Sequence, residues 1–139
     1  MAAFNKFNAF VEDIYEGKHN LGSDTLKIML TLVAPAASNS VKGDLTEIAA
    51  GNGYTAGGSA VTITSSAQTG GTYKLVGDDV VFTASGGAIA DFRYAILYND
   101  TEASDALIGW WDNGATVSLG DGDSVTIDLD QTNGILQHS

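Results

Sequence analysis

Two histidines, His19 and His138, are the side chains of this sequence whose ordinary pKa lies near neutrality. A serine or threonine nucleophile that needs a general base would have to use one of them. The Gly-x-Ser-x-Gly turn that exposes a catalytic serine is absent. His19 follows a helical pattern in a turn-rich stretch, and His138 is next to last, where chains fray. We therefore predict a turn or cap role for His19, no catalytic residue and no enzyme.

Carboxylates are numerous, with 17 Asp+Glu against 6 Lys+Arg and a net charge of −11. Two converging carboxylates could hydrolyse a glycoside, and clustered ones could bind calcium. The densest group comprises Asp121, Asp123, Asp128 and Asp130. It lacks the ligand order of an EF-hand, and its last two members alternate with Ile127 and Leu129, which is typical of the wet side of a strand. We predict no metal site.

A glycine-rich stretch, Gly51–Gly58, looks at first like a phosphate-binding loop. Its spacing misses the dinucleotide fingerprint by one residue, and no helical pattern follows it. The stretch is better interpreted as a connection in which backbones pass closely, so we predict no cofactor.

The acidic composition argues against two classes of partner. Nucleic acids and anionic membranes both require clustered Lys and Arg, which this sequence lacks. There is no cysteine, so a disulfide framework and thiol catalysis are excluded. No secretory pattern opens the sequence, and we expect synthesis and use in a cytoplasm.

The first segment has helical periodicity. Phe4, Phe7, Val11 and Ile14 recur at spacings of three and four, with Phe10 beside them. This pattern predicts a helix within residues 1–17 that ends near Gly17. A helix this short is marginal alone, so its apolar stripe must pack on something.

The rest of the sequence predicts a β-sandwich over residues 24–133, within a single domain of residues 1–139. Short apolar runs alternate with turn residues, which favours about eight antiparallel strands in a sandwich or jelly roll. Asn113-Gly114 is the strongest hairpin signal among the turns. The predicted strands are 25–33, 60–65, 72–76, 80–84, 91–98, 106–111, 115–119 and 123–130.

Two of these strands carry apolar side chains on both faces. In residues 91–98 the face opposite Phe92 still holds Ala95 and Leu97, and the neighbours Trp110 and Trp111 must point to opposite faces. We expect a sheet covered on both sides, either by the N-terminal helix or by a neighbouring subunit. The predicted anchors of a protein interface are Phe4, Phe7, Phe10, Tyr54, Trp110 and Trp111.

Two stretches, from Phe4 through Lys27 and from Leu45 through Gly58, resemble a family of small structural proteins encoded by tailed phages and prophages. Phe92–Asp100 and Asp130–Leu136 are similar to the same family. The resemblance covers nearly the whole sequence but implies no catalytic motif. Within phage particles, small β-rich proteins of this kind resemble capsid cement or decoration proteins with jelly-roll folds.

The resemblance implies that the chain stabilises a capsid from its outer surface after assembly in the host cytoplasm. The expected partners are the major capsid protein and further copies of this chain in a homo-dimer or trimer. Two other functions remain open. One is a tail, baseplate or fibre component, and the other is a carbohydrate-binding jelly roll that stacks a tryptophan on sugar rings.

Overall fold

Antiparallel strands are the main secondary structure, and one short helix lies near the N-terminus. The computed structural model describes residues 3–139. In chain order the elements are β1 (Phe4–Lys6), α1 (Asn8–Tyr15), β2 (Leu26–Thr31), a 3₁₀ turn (Lys42–Asp44), β3 (Ser59–Ala60), β4 (Ile63–Thr69), β5 (Thr72–Gly77), β6 (Val80–Thr83), β7 (Ile89–Asn99), β8 (Leu107–Leu119), β9 (Ser124–Ile127) and β10 (Leu136–His138). The predicted class, a mainly β antiparallel sandwich with a short N-terminal helix, is confirmed.

The sandwich pairs one large sheet with two smaller ones. The large sheet has the order β1-β8-β7-β2-β3, and the smaller sheets have the orders β10-β5-β4 and β6-β9. The principal hydrophobic core of the sandwich contains side chains from all three sheets, among them Ile28, Leu75, Phe82, Leu97 and Ile108. Alternating apolar residues place these side chains on the inner faces, where burial removes them from water.

The hairpin predicted at Asn113-Gly114 is wrong, because β8 runs through this dipeptide without reversing. Phe92 pairs with Val117 and the next pair joins residues 94 and 112, so the longer run on β8 forms a bulge. The Asp112 carboxylate stabilises the bulge by accepting hydrogen bonds from Gly114 N and from Arg93 Nε, each at 2.8 Å. Local turn chemistry is present here, but continued pairing with β7 outweighs it.

The N-terminal segment is not the single helix that the apolar spacing predicts. Phe4–Lys6 forms β1 and pairs with β8, so that Phe4 lies opposite Trp111, and α1 begins only at Asn8. Strand pairing satisfies backbone groups at the outer edge of β8 that a helix would leave unpaired. The Phe4 ring also occupies the space that Gly109 leaves by lacking a Cβ.

This segment covers both faces of β8 at its outer edge. On the inner face, the ring centroids of Phe4 and Trp111 are 5.3 Å apart. On the outer face, the ring centroids of Phe7 and Trp110 are 4.6 Å apart. The two tryptophans therefore point to opposite faces, as strand alternation predicts. Within the chain, Phe7 and Leu45, which lies in a loop, pack on the outer face.

The strand predicted over residues 60–65 divides into two strands in different sheets. The chain leaves β3 at Val61, whose amide donates to the Leu26 carbonyl at 2.8 Å, and it enters β4 at Ile63. The side chain of Val61 is buried in the principal core. A single apolar run therefore serves two sheets, because the chain crosses from one layer to the other at this corner.

The sheets extend beyond the predicted limits of 24–133, since β1 and β10 are members of them. Ile135 is buried in the core, and its amide donates to the Leu75 carbonyl at 2.7 Å. This contact brings β10 alongside β5, with Leu136 opposite Leu75 and His138 opposite Tyr73. The last residues are thus paired, so the expected fraying at His138 is wrong.

Candidate binding cleft

A cleft of about 1120 Å³ lies between α1 and the end of the three-stranded sheet. Val11, Ile14 and Tyr15, at helical spacings of three and four, form one wall. Tyr73 from β5 and Leu136 from β10 belong to the opposite wall. Helical periodicity places the three α1 side chains on one face, and two of them remain open to solvent. Val11 is 42% exposed and Tyr15 is 70% exposed.

The floor of the cleft is aromatic. Phe4 from β1 and the buried Phe10 from α1 both border it. Two sequence-predicted anchors therefore meet here, but as walls of a cleft rather than as protruding side chains. Burial on the inner side explains this, because both rings also pack against the principal core.

The ionisable side chains that border the cleft differ in sign from those of the chain as a whole. Lys6, His19 and His138 line it, and no Asp or Glu among residues 3–139 does so. The chain carries a net charge of −11, and Asp13, Asp24 and Glu102 lie close enough to His19 to act on it electrostatically, so carboxylates are missing from the cleft border among the described residues but not from its surroundings.

His19 is held at the back of the cleft by a defined hydrogen-bond network. Its Nδ1 accepts a hydrogen bond from Asn99 Nδ2 at 3.0 Å, and Asn99 Nδ2 also donates to Asp24 Oδ2 at 2.7 Å. The Asn99 oxygen accepts from the amides of Thr101 and Glu102, which fixes the orientation of the Asn99 amide. His19 Nδ1 is therefore unprotonated, and the ring hydrogen resides on Nε2.

Burial lowers the pKa of His19, which favours this neutral form. Nε2 is itself buried and has no hydrogen-bond partner among the described residues. The Phe10 ring lies beside the imidazole, with 5.3 Å between the ring centroids. The network joins the loop after α1 to the end of β7, which is a structural role.

One polar contact spans the cleft. The Tyr15 hydroxyl and His138 Nε2 are 3.3 Å apart and connect α1 to β10. Both side chains are exposed, so this contact contributes little to stability.

The other predicted interface residues lie elsewhere and are largely buried. Phe7 has no exposed surface, Trp111 is 5% exposed, and Trp110 is half-buried against Phe7. Phe7 and Trp111 therefore offer no surface to a partner in this conformation. These aromatic rings, which the sequence suggested for an interface, pack against other side chains of the same chain.

Tyr54 is also buried, at 2% exposure, and takes part in a polar cluster inside the chain. Its hydroxyl donates to Glu47 Oε2 at 2.6 Å and accepts from Leu30 N at 3.0 Å. Gly57 N donates to the same Glu47 oxygen, and the Tyr98 hydroxyl donates to the Gly57 carbonyl, each at 2.6 Å. Burial raises the pKa of Tyr54. This glycine-rich stretch is thus a structural connection, and its tyrosine offers almost no surface to a partner in this conformation.

Sequence reasoning missed the far wall of the cleft. Tyr73 falls within a correctly predicted strand, but no pattern in the sequence places it opposite Tyr15. Leu136 belongs to β10, whose three residues are too few for a period-two signal. The sequence signalled only the α1 wall of the cleft, through Val11 and Tyr15, which are largely apolar and lie four residues apart in the helical pattern.

Within residues 3–139 no group of three or more His, Asp or Glu side chains is arranged to hold a metal ion. No helix in that part of the chain combines the length and apolar character needed to span a membrane. Comparison of the chain with protein-family models, with curated proteins and with solved structures found no match.

Proposed function

We propose that this chain is a structural protein of a tailed-phage particle, a capsid cement protein that binds and stabilises the lattice of the major capsid protein. The observation that supports it most directly is the cleft between α1 and β10. Val11 and Tyr15 present apolar and aromatic surface there to solvent, and a protein partner that filled the cleft would cover both side chains.

The segments Phe4–Lys27 and Leu45–Gly58 resemble phage structural proteins, and this resemblance is the reason for proposing that the chain belongs to a phage particle. The sandwich also suits this role, because paired strands and a packed core give a rigid body that resists deformation. Its net charge of −11 favours a capsid surface with complementary basic side chains outside the cleft.

The proposed mechanism is avidity over a lattice. Each copy contacts more than one capsid subunit, and modest contacts repeated over the shell then resist internal pressure together. A stable contact of this kind buries at least about 1,000 Å². Homo-dimers or trimers of this chain would match the local two-fold and three-fold positions of a shell.

The test is a mass-spectrometric count of this chain in purified particles. A cement protein is present in hundreds of copies, and particles that lack it lose their genome at a lower temperature. Tens of copies would instead identify a tail, baseplate or fibre component. Particles without the chain that have unchanged heat resistance and unchanged capsid composition would contradict the proposal.

A further inference from the structure

The shape of the cleft identifies the kind of partner that fits it. Leu136, Gln137 and His138 are consecutive residues of β10, and all three border the cleft. Successive side chains of a strand point to opposite faces. Gln137 points away from the face that carries Leu136 and His138, so a space that all three border also meets the backbone of β10, and Tyr73 and Ser66 extend the same space over the face of the sheet. Among residues 3–139, β10 is the outermost strand of its sheet, so one of its edges has no strand beyond it in that part of the chain.

We infer that the cleft accepts an extended, acidic and apolar segment of a capsid subunit, which adds as a fourth strand beside β10; this rests on the proposed function. An unpaired strand edge next to an apolar wall is the arrangement that β-strand addition uses. Main-chain hydrogen bonds to β10 provide affinity, and alternate side chains enter the space between Val11 and the aromatic floor.

Two observations favour this occupant. The cleft, with a volume of about 1120 Å³, has room for the side chains of a chain segment. The ionisable residues at the cleft are Lys6, His19 and His138, with no bordering carboxylate among the described residues. An acidic side chain of the segment can therefore pair with Lys6 at the border of the cleft, although the chain as a whole is acidic.

The probe is a capped heptapeptide of alternating valine and glutamate, and its matched control alternates valine and lysine. Calorimetric titration is expected to show the glutamate peptide binding up to about fivefold more tightly, which is what one exposed charge contact at Lys6 allows. Lys6→Glu is expected to reverse this order. No binding of either peptide, or tighter binding of the lysine peptide to the unmodified chain, would overturn the inference.

The position is tested with a pair of valines. Val11→Asp places a charge in the cleft and is expected to weaken the glutamate peptide about tenfold or more. Val81→Asp is the control, because Val81 is 53% exposed on β6 and does not border the cleft. Equal losses in the two variants would contradict the assignment. Tyr15→Ala, at a more exposed position, repeats the test if Val11→Asp lowers the melting temperature.

Hydrogen exchange locates the added strand. Addition of the glutamate peptide is expected to slow exchange at Leu136–His138 and to leave Val80–Thr83, which does not border the cleft, unchanged. Slowing confined to Ile63–Thr69 would overturn the inference. Dissociation of a native oligomer by Val11→Asp would also overturn it, because the occupant would then be a second copy of this chain.

The two proposals fail separately. A high copy number in particles together with no peptide binding would remove the strand-addition inference and leave the cement function standing. Peptide binding with the expected Val11 and Lys6 dependence, but a handful of copies per particle, would leave the cleft as a strand acceptor and remove the capsid role.

Discussion

Asn99 donates a side-chain hydrogen bond to Nδ1 of His19 over 3.0 Å, across 80 positions of the sequence. This contact fastens the loop after α1 to the far end of β7, behind the cleft. Because Asn99 can only donate at this atom, the contact requires a neutral imidazole. The stability of the helix and of the cleft wall is thereby linked to the protonation state of one histidine.

The pH dependence of stability follows from the lowered pKa of His19. Below about 6.5 the unfolded chain takes up a proton at this site more readily than the folded chain does. The contribution of the neutral ring is therefore complete above pH 6.5 and is lost as the pH falls below it. Urea unfolding at pH 7.5 and pH 5.5 measures the difference. His19→Gln is expected to reduce it, whereas His138→Gln, at an exposed site, should preserve it.

Asn99→Asp tests the same network from its other end. The substitution removes the donor to His19 and places a carboxylate beside Asp24, in a site with no exposed surface. We expect a loss of about 3 kcal/mol in the free energy of unfolding. Asn113→Asp, on the exposed bulge of β8, is the control and should change it by less than about 0.5 kcal/mol. Similar losses at both sites would contradict the structural role of Asn99.

Tyr54→Phe tests the buried polar cluster. Removal of the hydroxyl leaves Glu47 Oε2 without its tyrosine donor and leaves Leu30 N without its acceptor. We expect a loss of about 1–3 kcal/mol in thermal or urea unfolding. Tyr15→Phe removes an exposed hydroxyl whose partner is the exposed His138, so it should cost less than about 0.5 kcal/mol. A neutral Tyr54→Phe would show that Tyr54 does not stabilise the glycine-rich connection.

Gly58→Ala separates close packing from backbone conformation. Gly58 has φ +81°, and a Cβ there would overlap the Ile28 carbonyl. Gly86 has nearly the same φ, +80°, but open space around the Cβ position. Alanine at Gly86 should cost about 1 kcal/mol from conformation alone. Alanine at Gly58 should cost about 3 kcal/mol or more, because a backbone group must shift. Equal melting temperatures would contradict the close approach of these two backbones.

Several features of this protein follow from local sequence. The alternation in residues 26–31 and 72–77 predicts strands at nearly the observed limits, because side-chain period and turn residues act over short distances. The opposite orientation of Trp110 and Trp111 follows from the same geometry. The interpretation of Gly51–Gly58 as a connection also agrees with the structure, since Gly58 passes directly against the Ile28 backbone.

Tertiary contacts decided the rest. Phe4 belongs to a helical spacing pattern, but it lies in a strand because its segment pairs with the edge of β8. Asn113-Gly114 has the composition of a hairpin turn, but the long partner β7 keeps β8 continuous. The burial of Tyr54 depends on Glu47 and Leu30, and the cleft depends on β10 returning beside β5. Local sequence determines which conformations each segment favours, whereas pairing with distant segments selects among them, because it satisfies the backbone groups and buries the apolar surface that a segment alone leaves exposed to water.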